Sequence, residues 1–347
     1  MSAQIQHPLP MPSRAVMARL WKGWLPAAVR LEADVPRVLW LQAGEHYEEA
    51  PFYRHAVEAL MRREPRITRN RTSLGTVNLV GDVLDALKPS GFIFHMSRCG
   101  STLVQNALRC LDGSIVPGEP EPLCTLLTPY SPSVWPGERE DWEARRDALL
   151  RSMVRIFGQR RRPGDRRYFV KFTSRNSVQI DVIRRLWPDV PWLFVYRNPV
   201  DVMVSNLSRP PGWMRMPADW KTLHFGWSGE QLADMTPEEY CARVVGSFCS
   251  AAARSADGRA FLLNYEDIDL PRIRAVMEAF GVRPTRAEQA RAEESLRVYS
   301  KDPSGQRAFT GDTALKRRVA GPAVERAAER WALPAFSALD RHPRRLR

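Results

Sequence analysis

The sequence predicts an α/β protein with a central parallel sheet flanked by helices and a small N-terminal extension. Three observations carry this. From Gly91 onward, short apolar runs alternate with stretches of helical periodicity, the pattern of successive βαβ units. The runs at 92–95, 168–171 and 192–196 have the length and composition of buried strands. The chain of 347 residues, 44% hydrophobic, suffices for one large domain or a main domain with a smaller attachment.

Taken in order, residues 1–88 form an extension with strand-like pieces at 28–31 and 38–41 and helix-like spacing over 52–63. The extension's role is not readable from these pieces. The main domain is expected over 89–340. Its first unit runs from strand 92–95 through a loop into a helix whose apolar face is Leu103, Val104, Ala107, Leu108 and Leu111. A second unit pairs strand 168–171 with a helix carrying Val178, Val182, Ile183 and Leu186, before strand 192–196. Thr236, Pro237 and Glu239 stand at the N-cap, first and third positions of a helix expected to reach about residue 254. Residues 261–264 read as a further strand and 268–280 as a helix that ends near Gly281. The ending 341–347 reads as a frayed basic tail.

A formal charge of +13 and a pI near 10.0 imply attraction to a polyanion: nucleic acid, an anionic membrane surface or a multiply phosphorylated small molecule. The five cysteines, Cys99, Cys110, Cys124, Cys241 and Cys249, include no C-x-x-C pair, which speaks against a disulfide framework and a zinc site. No segment has the pattern of a signal peptide or the length of an apolar membrane span. A cytoplasmic protein in a reducing compartment is the expectation.

The segment 94–103 links a buried strand to a helix through small and polar residues. Backbone amides of Cys99, Gly100, Ser101 and Thr102 can converge there at a helix N-terminus, which binds phosphate through unpaired N–H groups and the helix dipole. Gly100 permits close approach, Ser101 and Thr102 offer hydroxyls, and Arg98 offers a fork of donors. The pattern is not that of an NTPase loop: Ser101 follows Gly100 where a lysine is required, and no glycine stands five residues earlier.

This loop resembles the phosphosulfate-binding loop of the sulfotransferase superfamily, whose members share a P-loop-like α/β fold. A second match is Arg197-Asn-Pro-Val-Asp201 at the end of its strand with Ser205 beyond it. The resemblance implies that Arg197 and Ser205 bind the 3′-phosphate of the donor, 3′-phosphoadenosine 5′-phosphosulfate, and that no metal is needed. A third match, Asn264-Tyr-Glu-Asp-Ile268, is similar to an element whose role in the family is mostly architectural.

The chain also departs from the family pattern. Lys171 is followed by Phe172 and Thr173, so the Lys-Thr-His element that supplies a histidine base in many members is missing. The tyrosylprotein branch uses a glutamate about twenty residues beyond the loop arginine. That resemblance implies Glu119 as the base, with Glu121 as fallback, and a partly dry pocket is expected to raise the carboxylate's pKa. Lys171 is expected to stabilise charge on the leaving phosphate.

Weaker expectations complete the reading. Residues 299–312 with Lys316 form a late loop similar to one that closes on the nucleotide, and residues 209–220 either line the acceptor pocket or pack as a surface loop. His95 is expected to be a hydrogen-bonded core histidine, and Cys99 is a candidate thiolate but not a nucleophile. The acceptor is a small molecule, lipid, glycan or peptide; no nucleic-acid partner is expected. The alternatives are a P-loop small-molecule kinase, for which Asp201 is the nearest metal-binding carboxylate, and a non-catalytic polyanion-binding protein.

Overall fold

Two sheets are present among the described residues of the computed structural model, which comprise 12–31, 35–45, 47, 49–297 and 318–346. The first is antiparallel and consists of β1 (Trp24–Arg30), β2 (Arg37–Gln42) and β3 (Arg69–Ser73), in that order. The second is parallel and holds β4 (Gly91–His95), β5 (Ser114–Ile115), β6 (Arg167–Lys171), β7 (Trp192–Tyr196) and β8 (Ala260–Asn264), in spatial order β5-β6-β4-β7-β8. All five residues of β4 and of β7 are buried, because helices cover both faces of a parallel sheet. The chain moves to one side of β4 for β5 and β6, then crosses to the other side for β7 and β8. The loops after β4 and β7 therefore diverge, leaving a crevice at the C-terminal ends of the strands where ligands bind in open α/β sheets.

The extension's strand-like pieces are parts of β1 and β2, and its helix is Tyr53–Arg63. Strand β3, whose residues are charged, polar and mostly exposed, has no apolar alternation to betray it. Val38 and Trp40 of β2 are fully buried and belong to the same hydrophobic cluster as β4, β6 and β7. The extension is also tied to the neighbourhood of β5: Tyr53 N donates to Gly118 O at 2.6 Å and Val29 N donates to a Glu121 carboxylate oxygen at 3.4 Å.

The helix Pro237–Ser255 starts as expected, with the Thr236 hydroxyl accepting from Glu239 N at 3.2 Å. The helix after β8 is Leu270–Ala279, followed by Gly281 in the left-handed region at φ 73°. The basic ending differs from the frayed tail expected of it. Leu262 N donates to Arg344 O and Leu346 N donates to Leu262 O, so residues 344–346 add to the outer edge of β8. Unpaired backbone groups of an edge strand offer that partner, and Arg345 meets Asp267 and Asp340 at 2.8 and 2.7 Å. The loop expected over 299–316 lies outside the described residues.

Candidate active site

A cavity of about 800 Å³ opens at the C-terminal ends of the parallel strands. The segments after all five strands contribute to it: the loop after β4, Glu119 and Glu121 after β5, Arg175 after β6, Arg197 with Ser205 after β7, and Tyr265 after β8. Phe52, Arg54 and His55 close it from the N-terminal extension. Among the described residues six arginines line the cavity against two carboxylates, a balance that suits an anionic ligand.

The loop after β4 has an unusual backbone. Ser97 and Arg98 stand at φ 75° and 49°, and Gly100 at 82°. Gly100 is the N-cap of the helix Ser101–Arg109, whose first turn has no capping side chain to claim its amides. Left-handed residues ahead of a helix N-terminus curl the chain into an anion-binding concavity. A Cβ at Gly100 would lie 2.8 Å from both Ile268 Cδ1 and Tyr265 Cδ2, so the closeness of the loop to the β8 segment requires glycine. Arg98 donates through Nη2 to Arg209 O at 2.9 Å, tying the loop to the segment after β7. The Cys99 thiol points inward and donates to Val195 O at 3.0 Å, and the residue is 1% exposed. The side chain is thus a packing element, contrary to its reading as a candidate thiolate.

Arg197 leaves the end of β7 almost fully buried. Its Nε donates to Asp201 Oδ2 at 3.2 Å, and its guanidinium carbon lies 4.2 Å from the Tyr265 ring centroid. Tyr265 therefore holds Arg197 from one side and abuts Gly100 from another, a placement that the Asn-Tyr-Glu-Asp pattern did not disclose. Asn198 caps the helix Pro199–Ser208 by accepting from Val200 N, and two turns later Ser205 faces the same cavity. Asp201 is 0% exposed and does not line the cavity. That position removes it as the metal carboxylate of a kinase.

Glu119 reaches the cavity by a different route. Its backbone lies at φ 55°, and its N–H donates to Lys171 O at 2.7 Å. Lys171 Nζ donates back to Glu119 Oε1 at 2.5 Å, and His95 Nε2 lies 3.5 Å from the same oxygen. Because Ser97 N donates to His95 Nδ1 at 3.1 Å, the neutral ring carries its proton on Nε2, facing the carboxylate. Burial alone would raise the Glu119 pKa, but the Lys171 ammonium and the His95 ring hold it well below the ordinary 4.5. The expected rise is therefore reversed, because the dry pocket also contains a cation.

Lys171 itself is fully buried, lies 5.3 Å from the Phe52 ring centroid and is not among the cavity-lining residues. Its observed partner is Glu119. Glu121 lines the cavity, yet both its oxygens are engaged, one by the Thr125 hydroxyl at 3.1 Å and the other by Val29 N. Burial raises its pKa.

Sequence reasoning set aside His95 as a core residue; it is buried as expected, but it lies beside Glu119 and lines the cavity. Its place at the end of a parallel strand was the available signal. Arg175, Arg54 and His55 carried no signal. The segment after Ser205 both lines the cavity and packs: Trp213 is buried, and its carbonyl accepts from the Tyr240 hydroxyl at 2.9 Å.

Residues 89–283, more than half of the chain, match the model of the sulfotransferase family. The chain is a member of the sulfotransferase family. No curated protein matches this sulfotransferase. Among solved structures it is similar to the sulfotransferase domain of the Synechococcus olefin synthase, at 17% identity over 74% of this chain and 94% of that one, with a TM-score of 0.42. It is likewise similar to a sulfotransferase of Mycobacterium avium, at 16% identity over 84% and 83% of the two chains and a TM-score of 0.43. A sulfotransferase of Alicyclobacillus acidocaldarius is 15% identical over 72% and 99%, with a TM-score of 0.39. Among the described residues of this sulfotransferase no helix is long and apolar enough to cross a membrane.

Proposed function

We propose that this sulfotransferase moves the sulfuryl group of 3′-phosphoadenosine 5′-phosphosulfate to an acceptor hydroxyl or amine by in-line displacement, with Glu119 as the base. The observation that carries the reading is the convergence, in one cavity, of the Arg98-Cys99-Gly100-Ser101-Thr102 loop, Arg197, Ser205 and Glu119. The loop and the first turn of its helix would receive the 5′-phosphosulfate. Arg197 and Ser205 would receive the 3′-phosphate, with Arg197 steadied by Asp201 and Tyr265.

Attack by the acceptor oxygen or nitrogen forms a bond to sulfur while the bond from sulfur to the bridging phosphate oxygen breaks. Adenosine 3′,5′-bisphosphate leaves with the bonding electron pair. The acceptor's proton passes to Glu119. Lys171 and His95 both approach Oε1, so we assign Oε2 to the acceptor. Lys171 keeps the carboxylate ionised and in place, and this role replaces direct action on the leaving group. A carboxylate with a depressed pKa is a weak but fully ionised base, sufficient where the proton moves late in bond formation.

The test compares thermal stabilisation by adenosine 3′,5′-bisphosphate with that by ATP and magnesium, since a ligand of the native state raises Tm. A rise with the bisphosphate that disappears in Arg197→Ala is the expected result. A response confined to ATP with magnesium would replace the proposal with a kinase.

A further inference from the structure

The cavity divides by strand of origin. The loop after β4, Arg197 and Ser205 after β7, and Tyr265 after β8 form one half; Glu119 and Glu121 after β5 and Arg175 after β6 form the other. Under the proposed function the first half holds the donor, and the second meets the acceptor.

Arg175 is the unusual member of the acceptor half. It sits in the 3-10 turn Ser174–Gln179, directly after the β6 segment. Its Nε is buried without a hydrogen-bond partner, and it forms no ion pair among the described residues. The other cavity arginines whose side chains have no partner among the described residues, Arg209 and Arg215, are exposed, so water can solvate them. Arg175 is only partly exposed, and burial pushes its pKa down. Neither nearby carboxylate forms an ion pair with it: Glu119 meets Lys171 and His95 through Oε1, and Glu121 meets Thr125 and Val29. Glu121 and Glu119 offset part of that burial through space, but a guanidinium withdrawn from water with no direct ion pair is costly unless a ligand supplies one. The cavity also offers apolar surface from Phe52 of the N-terminal extension and from Trp213 and Met216, which follow the helix after β7.

We infer that Arg175 is a specificity-determining residue that binds a carboxylate on the acceptor, so that the substrate class is an apolar hydroxy- or amino-acid rather than a neutral alcohol or amine. The planar fork of arginine matches a carboxylate with two parallel hydrogen bonds. The inference rests on the proposed function only for the word acceptor; the anion site itself is separable from the donor site.

The experiment uses benzoate and its neutral counterpart benzamide as probes of the full chain, by thermal shift at millimolar concentration, with and without saturating adenosine 3′,5′-bisphosphate. Benzoate is expected to bind about tenfold more tightly than benzamide. Arg175→Gln should abolish the difference, and Arg175→Lys should keep part of it. Equal responses to acid and amide in the wild type, including none to either, overturn the inference, as does a preference for benzoate that survives in Arg175→Gln. The outcomes stay distinguishable from failure of the donor reading. If the bisphosphate gives no stabilisation, the donor proposal falls, while the comparison of wild type with Arg175→Gln in its absence still reports on the carboxylate site.

Discussion

The two halves of the cavity are built by different means. The proposed donor half is made by local structure: a left-handed loop after β4, a helix N-terminus, and an arginine and a serine two helical turns apart after β7. The proposed acceptor half is made by tertiary convergence: Glu119 and Arg175 follow β5 and β6, Phe52 comes from the N-terminal extension, and Lys171 and His95, at the ends of β6 and β4, meet the Glu119 carboxylate. Local structure suits a ligand whose phosphate geometry never changes. Convergence of side chains allows the acceptor site to differ while the donor site stays constant.

The largest test of this division is Glu119→Gln, which should lower sulfuryl transfer by about 10²- to 10⁴-fold. Stabilisation by adenosine 3′,5′-bisphosphate should persist, and its loss would mean that the halves are not separable. Arg197→Ala is the complementary change. Removing a charged hydrogen-bonding group should weaken bisphosphate binding about 10- to 100-fold, as read by calorimetric titration, while leaving the benzoate response intact. Gly100→Ala places a Cβ against Tyr265 and Ile268 in a left-handed position. About 1–3 kcal/mol of destabilisation is expected, checked by denaturant unfolding, with weakened donor binding because the loop must shift.

The pH dependence sharpens the picture of the acceptor half. Glu119 has a folded pKa below its unfolded one. The stabilisation it contributes is therefore complete above the unfolded value, about 4.3, and is lost only as pH falls through the lower folded value. Between about pH 7 and 5, no acid limb from Glu119 should appear in the rate profile. Lys171→Met removes the main group holding the pKa down while burial remains, so an acid limb should move up toward neutral pH. An unchanged profile would mean that Lys171 does not set the state of Glu119.

The parallel sheet could be read because each of its longer strands is an apolar run placed between turn residues and helical periodicity. Strands β4, β6, β7 and β8 fall within a residue of the predicted positions. Strand β5, only two residues long, and strand β3, polar throughout, gave no pattern to find. The loop after β4 could be read because it is contiguous, so spacing alone places Arg98, Gly100 and Thr102 together at the cavity. Lys171 illustrates the limit. Its strand position was evident, but the direction of its side chain depended on where Glu119 lay, 52 residues away in sequence.

The sequence by itself determined the parallel α/β class, the positions of its longer strands along the chain and the strand-to-helix loop after β4, since periodicity and contiguous motifs act over one or two elements. Only the tertiary structure decided that Lys171 and His95 share one oxygen of Glu119, that Asp201 is sealed beneath Arg197, and that Arg175 forms no ion pair among the described residues. The physical reason is that the state of a buried charge depends on every group packed around it, and those groups come from segments that sequence proximity does not connect.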